Sequence, residues 1–332
     1  MNAASHRRPS AAAIRRPERS EHGFTMIETL IAMTLLLIVM GGVMESMLQF
    51  SRTQTTVWNR ANMHASVRSA TELLQQEVGQ AGRVALPSAV EMSSTVAAPV
   101  TQTVTVTSTA GMFAGERLVI DAGQNEETVS VVSVDSQTAF TATFLVAHTP
   151  AGGHAIPVGV QGGFASGVVP CANQASCPGS SVTTDYANGS TGSVLKIYGD
   201  LNGDGNMVYV EYVCDTTAGN LYRNMMPFSS TSKPAPTADQ VLLSNLLPNP
   251  GGTPCFTYEQ KTVNGAAYVL NVAISLTTQT QLKDPVTRQF QTETKALLNV
   301  APRNVFDVWQ LASIGVGNRI QPMPPSVANL LY

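Results

Sequence analysis

The feature that most restricts this chain is an apolar run, Phe24 to Met44, that carries a single formal charge, Glu28. As an α-helix, these ~21 residues extend about 30 Å, the thickness of a bilayer's hydrocarbon core. No small-residue cleavage site of the A-x-A kind follows the run, so it reads as a retained anchor rather than a removed secretory signal. Before it stand Arg7, Arg8, Arg15, Arg16 and Arg19 against Glu18 and Glu21. The net charge of the whole chain is −3, so this basic leader of +3 leaves −6 for the rest. By the positive-inside rule the leader stays in the cytoplasm and the body lies outside it. A body of that charge has no general attraction for nucleic acid phosphates, and nucleic acid is not indicated as a partner.

The helical pattern continues past the anchor. Met63, Val67, Ala70, Leu74, Val78, Ala81 and Ala85 fall at steps of three and four, which draws one apolar stripe along a helix. Arg60, Arg68, Glu72, Gln76 and Glu77 mostly lie off that stripe, and Pro87 ends the pattern. One helix is therefore expected from about Phe24 to Ala85. Gly41-Gly42 is its weak point, since each Gly costs about 1 kcal/mol relative to Ala, and a bend or local melting is expected there. Glu28 needs a separate account. One turn into a helix it meets the positive end of the macrodipole, worth about 0.3–1 kcal/mol when exposed. An acid in the apolar layer costs roughly 2.5–3.5 kcal/mol at a helix centre, so a partner is expected.

Gly23-Phe24-Thr25-Met26-Ile27-Glu28, with its basic leader and apolar helix, resembles the class III signal of type IV pilins and type II secretion pseudopilins. The resemblance implies cleavage by a prepilin peptidase between Gly23 and Phe24, N-methylation of Phe24, and retention of the helix. It also implies that Glu28 meets the new amine of Phe24, on the same or a neighbouring subunit, and sets register in a fibre. The implied partners are the peptidase, other pilins or pseudopilins met through the helix, and an inner-membrane assembly platform. The implied location is a single-pass inner-membrane state with a periplasmic body, followed by a pilus at the cell surface or a periplasmic pseudopilus. The strands GNLYRNMMP and the segment APRNV are most similar to those of PilW-type minor pilins and J-type pseudopilins.

The exported body reads as β-rich. VTQTVTVTST, RLVIDAG, EETVSVVSV and TAFTATFLV alternate or run apolar between turn residues. His148 and His154 flank the end of this stretch and read as exposed loop histidines. The expected architecture is α+β: a long N-terminal helix, its first part spanning the membrane and its second amphipathic, packed on an antiparallel sheet with a β-rich insertion. The divisions are leader 1–23, helix 24–86 with 24–44 transmembrane, insertion 87–160, Gly/Ser-rich disulfide loop 161–193, pilin-like sheet 194–310 and C-terminal tail 311–332.

Cys171, Cys177, Cys214 and Cys255 all fall in the exported part, which suits an oxidising compartment. They allow three pairings that sequence alone does not order. The favoured one joins Cys171 to Cys177 and Cys214 to Cys255. No C-x-x-C spacing occurs and the histidines are scattered, which argues against zinc.

Asp200, Asn202, Asp204, Gly205 and Glu211 satisfy D-x-[DN]-x-[DN]-G-x5-E, a calcium-loop pattern in which position 206, Asn206, offers its carbonyl. The flanks VLKIY and MVYVEYV are strand-like, whereas an EF-hand has helices there. Two readings therefore stay open, a Ca2+ site and a polar hairpin turn. No other cofactor is required.

No nucleophile elbow, phosphate-cradling loop or Cys-His pair in a shared motif emerges, so an enzyme is not expected. The expected role is a minor pilin or pseudopilin at a fibre tip or in priming, because a bulky head suits a tip better than a repeating shaft. A second reading is a pilus-borne adhesin that binds surfaces or DNA, and a third is an exported enzyme on a membrane anchor.

Overall fold

The computed structural model describes residues 23–83, 85–151, 154–173 and 186–332, with the side chains of 297–299 set aside. The chain divides into two compact units, Met1–Gln54 and Thr55–Tyr332. Helix α1 runs from Met26–Gly79 and stays helical through Gly41 and Gly42, without the melting expected there. The fold class is α+β, as the sequence indicated.

In the second unit, Met63, Val67, Ala70, Leu74 and Val78 of α1 are buried, so the stripe spaced at three and four residues is the packed face. Leu74 is fully buried, and burying a leucine contributes about 1.5–3 kcal/mol. The helix stops at Gly79 rather than Ala85, and Ala85 is exposed. The cause is a close backbone approach. Gly82, at φ +88, bridges Gly199, donating its N–H to Tyr198 O at 2.8 Å while its carbonyl accepts from Asp200 N at 3.1 Å. A Cβ on Gly199 would lie 2.3 Å from the Gly82 carbonyl oxygen, so only a side-chain-free residue fits. The chain thus leaves the helix to join a sheet edge.

Strands β1 (Val90–Met92), β2 (Val100–Thr105), β3 (Arg117–Ile120), β4 (Glu127–Ser136), β5 (Ala139–Phe144) and β6 (Ile156–Val160) form one six-stranded sheet in the order β1-β6-β3-β4-β5-β2. Alternation decides its faces. Phe140, Ala142 and Phe144 point into a core with Leu118, Ile120 and Val104, while Thr141 and Thr143 pair outward with Thr103 and Thr101. His148 was expected in solvent but is fully buried against this core. Its ring lies 2.7 Å from Glu127 and 3.3 Å from Asp121, partners that satisfy both nitrogens. His154 is exposed.

After β7 (Gly163–Phe164), strands β8 (Val194–Gly199), β9 (Val208–Asp215), β10 (Asn220–Pro227) and β11 (Val241–Ser244) form an antiparallel sheet ordered β11-β10-β9-β8. A second sheet joins β12 (Leu246–Leu247), β13 (Phe256–Val263), β14 (Ala266–Gln279) and β15 (Thr292–Val300), with β14 central. Two sheets therefore occupy 194–300 where one was expected. The tight β13–β14 turn falls at Asn264-Gly265, both at positive φ (51° and 81°), which the Asn-Gly dipeptide adopts readily. The α1 stripe packs on Ile197, Val210, Tyr212, Val272 and Leu276 from both sheets.

Two segments read as loop and tail are packed instead. Within 161–193, Phe164, Val168, Val169 and Cys171 are buried, whereas 174–185 lie outside the described residues. Beyond α2 (Arg303–Ser313), β16 (Ile320–Gln321) pairs in parallel with β7, and α3 (Pro325–Leu330) buries Val327 and Leu330 against Tyr198 and Tyr209. Buried Gln321 accepts from Arg117 N at 2.8 Å and donates to the carbonyls of Arg117 and Gln161. Apolar residues at three- and four-residue spacing in PSVANLLY are the reason: they had a core face to cover.

Candidate processing and assembly site

Gly23 and Phe24 precede the first helical residue and are non-helical and exposed, with Phe24 at 84%. An exposed, unwound peptide bond is what a peptidase requires. Thr25 is the N-cap of α1. Glu28 Oε2 accepts from the Thr25 amide and from the Thr25 hydroxyl, both at 2.9 Å, while Glu28 N donates to Thr25 Oγ1 at 3.3 Å. This reciprocal arrangement is a capping box, worth about 0.5–2 kcal/mol for the cap. Its local signal, Thr-x-x-Glu ahead of an apolar run, stands in the sequence at Thr25 to Glu28 and was missed. The uncut chain has an amide rather than an amine at Phe24, so Glu28 there serves its own helix start.

From Phe24 to Met44 every large apolar side chain is more than half exposed, including Met26, Ile31, Leu36 and Ile38. α1 is the one helix among the described residues long and apolar enough to cross a membrane.

Residues 19–44 match the family described as Prokaryotic N-terminal methylation motif. No curated protein and no solved structure matches the chain. The match supports reading these residues as the class III signal found on type IV pilin and pseudopilin precursors. That signal implies processing by prepilin peptidase and assembly with other pilins, and with the long apolar helix it is consistent with inner-membrane anchoring before assembly.

The calcium-pattern residues are only partly gathered. Asp200 and Asp204 sit in the β8–β9 turn, where their carboxylates are engaged by the turn's own backbone. Asp200 accepts from Asp204 N and Gly205 N at 3.0 and 2.8 Å, and Asp204 accepts from Asn206 N at 2.9 Å. Asn202 belongs to the same turn and is exposed. Glu211 does not close this loop. Strand β9 carries it beside Lys196, where Oε2 accepts from Lys233 Nζ and Tyr209 OH, each at 2.9 Å. Burial first, then Glu211, pushes the Tyr209 phenol well above its ordinary value and keeps it a donor. Among the described residues no three of His, Cys, Asp and Glu gather as a metal site. The geometry is that of a self-bonded hairpin turn.

Cys214 and Cys255 form a disulfide, with Cα atoms 6.5 Å apart, which ties β9 to the start of β13. Cys171 is also disulfide-bonded. Cys177 lies outside the described residues.

Two buried ion pairs escaped sequence reading. Arg83 meets Glu116 with both side chains essentially inaccessible, and Glu77 of α1 meets Arg223 of β10. Glu77 stands among the polar residues read as mostly off the apolar stripe, yet it is 3% exposed. No local signal marks either pair, because each joins residues far apart in sequence.

Proposed function

We propose that this chain is a minor pilin or pseudopilin, placed at the tip of a type IV pilus or type II secretion pseudopilus or used in priming it. The observation that carries the reading is the exposed Gly23-Phe24 bond immediately before a capped apolar helix that starts Thr-Met-Ile-Glu. In the sequence of events, prepilin peptidase cuts after Gly23 and the new amine of Phe24 is methylated. Glu28 then exchanges its capping bonds for that amine on the same or a neighbouring subunit, while an inner-membrane platform extracts the helix into the fibre. The role is structural rather than enzymatic, and a large head with two sheets and an insertion favours a terminal position over a repeating one.

Co-expression with a prepilin peptidase tests the first step. Mass spectrometry should show loss of residues 1–23 and a methylated Phe24, and an uncut product overturns the reading. Glu28→Ala should enter the membrane normally but be under-represented in purified fibres. Normal incorporation would remove the register role.

An adhesive role is the second reading. It is favoured by the separate hydrophobic core of the sheet spanning 90–160 and by its outward Thr ladder. Deleting 90–160 discriminates: fibres that form but no longer attach support adhesion, and fibres that do not form refute it as a separable function.

A further inference from the structure

The connection between β14 and β15, residues 280–291, keeps its acid inside and turns its cations and apolar side chains outward. Its backbone is fixed by its own hydrogen bonds. Thr280 N donates to Gln291 O at 2.8 Å, Asp284 N to Gln289 O at 2.9 Å and Arg288 N to Asp284 O at 2.7 Å. Asp284 is 4% exposed, and its carboxylate accepts from Val286 N at 2.7 Å, Thr287 N at 2.9 Å and Gln291 Nε2 at 2.7 Å. It also accepts from the side chain of Thr56 on α1, which fastens the loop to the start of the second unit.

This frame holds Leu282, Val286 and Phe290 in solvent, at 57%, 67% and 40% exposure. Lys283 and Arg288 are exposed beside them, and the Lys283 ammonium lies 5.5 Å from the centre of the Phe290 ring, a cation–π pair. Asp284 is the only acid between Thr280 and Gln291, so the outer surface of the loop carries two cations and no exposed carboxylate. Apolar and basic groups side by side match an anionic lipid surface, where cations meet headgroup phosphates and apolar side chains enter the acyl boundary. A nucleic acid would engage the cations but leave Leu282 and Val286 in water.

We infer that the 280–291 loop docks on the anionic lipid surface of the membrane that α1 crosses. The inference rests on reading the apolar run of α1 as a membrane anchor. Thr56 follows Met44 by 12 residues, so even a fully extended link keeps the loop's attachment point within about 40 Å of the bilayer. Tethers of that length give effective concentrations in the millimolar range, so docking needs only weak intrinsic affinity. Two cations and three apolar side chains supply affinity of that order.

The test is lipid quenching of a fluorophore attached at Val286→Cys in the full chain, labelled without reductant so that the native disulfides persist. The chain is reconstituted in vesicles of equimolar phosphatidylcholine and phosphatidylglycerol. Brominated lipid should quench the label, and added salt should reduce the quenching. Lys283→Gln and Arg288→Gln should each weaken docking about fivefold, with unchanged unfolding midpoints because the Asp284 frame is left intact. Vesicle flotation separates this inference from the reading beneath it. A chain that does not float overturns the anchor and the docking with it, whereas a chain that floats with an unquenched label overturns the docking alone. Quenching that is as strong in phosphatidylcholine alone and in both Gln variants also overturns it. So does equal quenching of a label at Thr143→Cys, which would mark general adsorption of the body. A response that follows the protein-to-lipid ratio overturns it too, since the occupant would then be a neighbouring chain.

Discussion

The carboxylate of Glu77, in the last turn of α1, is held by Arg223 of β10, whose Nε donates at 3.0 Å, and by the Tyr212 hydroxyl at 2.5 Å. This ties the helix end to the sheet at a point 3% exposed. Glu77→Ala would leave a guanidinium and a phenol without their acceptor, at a cost of about 3–5 kcal/mol. Urea denaturation of the full chain in detergent measures it. A loss under about 1 kcal/mol would show that the pair is solvated and of little consequence.

Glu116 gives a pH signature. Burial pushes its carboxyl from an ordinary 4.5 up to about 7, against the downward pull of Arg83 and the Phe113 amide. A carboxyl whose folded value exceeds its unfolded one takes up a proton on folding. Its stabilisation is complete below 4.5 and is lost as pH rises through about 7. The thermal midpoint of the wild type should therefore fall relative to Glu116→Gln as pH rises through that window. Parallel profiles for the two proteins would contradict this.

Much of this architecture is visible in local sequence. The stripe from Met63 to Val78 fixes which face of α1 is buried, because helical periodicity reports burial directly. Alternation in TAFTATF fixes the faces of β5, and Gly23 to Glu28 marks the proposed processing site within the matched motif. Hidden from sequence were features that depend on where distant segments meet. His148 is buried only because β3 and β4 bring Asp121 and Glu127 to it. Glu211 fits a calcium pattern by spacing, but a strand advances about 3.3 Å per residue and takes it away from the turn. The helix end could not be placed at Gly79 without knowing that Gly199 would lie against Gly82.

The disulfide between Cys214 and Cys255 closes a separation of 41 residues. In the chain-entropy account, a loop of that size contributes about 4 kcal/mol. Cys214→Ala combined with Cys255→Ala should lower the unfolding free energy by up to that amount and remove the effect of reductant on this part of the fold. If the double variant unfolds at the wild-type midpoint, the bridge is not formed in the native protein.

Thr278→Val should raise stability. Its hydroxyl is buried without a partner, and a desolvated unpaired group costs about 1–3 kcal/mol. A higher unfolding midpoint than the wild type is expected, and a lower one would mean that the hydroxyl has a partner within the fold.

The packing of the C-terminal segment bears on how the body is made. Gln321 bonds the backbone of Arg117, 204 residues earlier, and Leu331 accepts from Lys196, 135 residues earlier. Contacts of such span pay loop-closure entropy before they return any stabilisation, which slows folding. A chain that crosses a membrane in sequence order presents β3 and β8 long before the residues that seal them arrive. If the head is exported as proposed, translocation sets its folding clock: the core waits, open, until α3 is delivered.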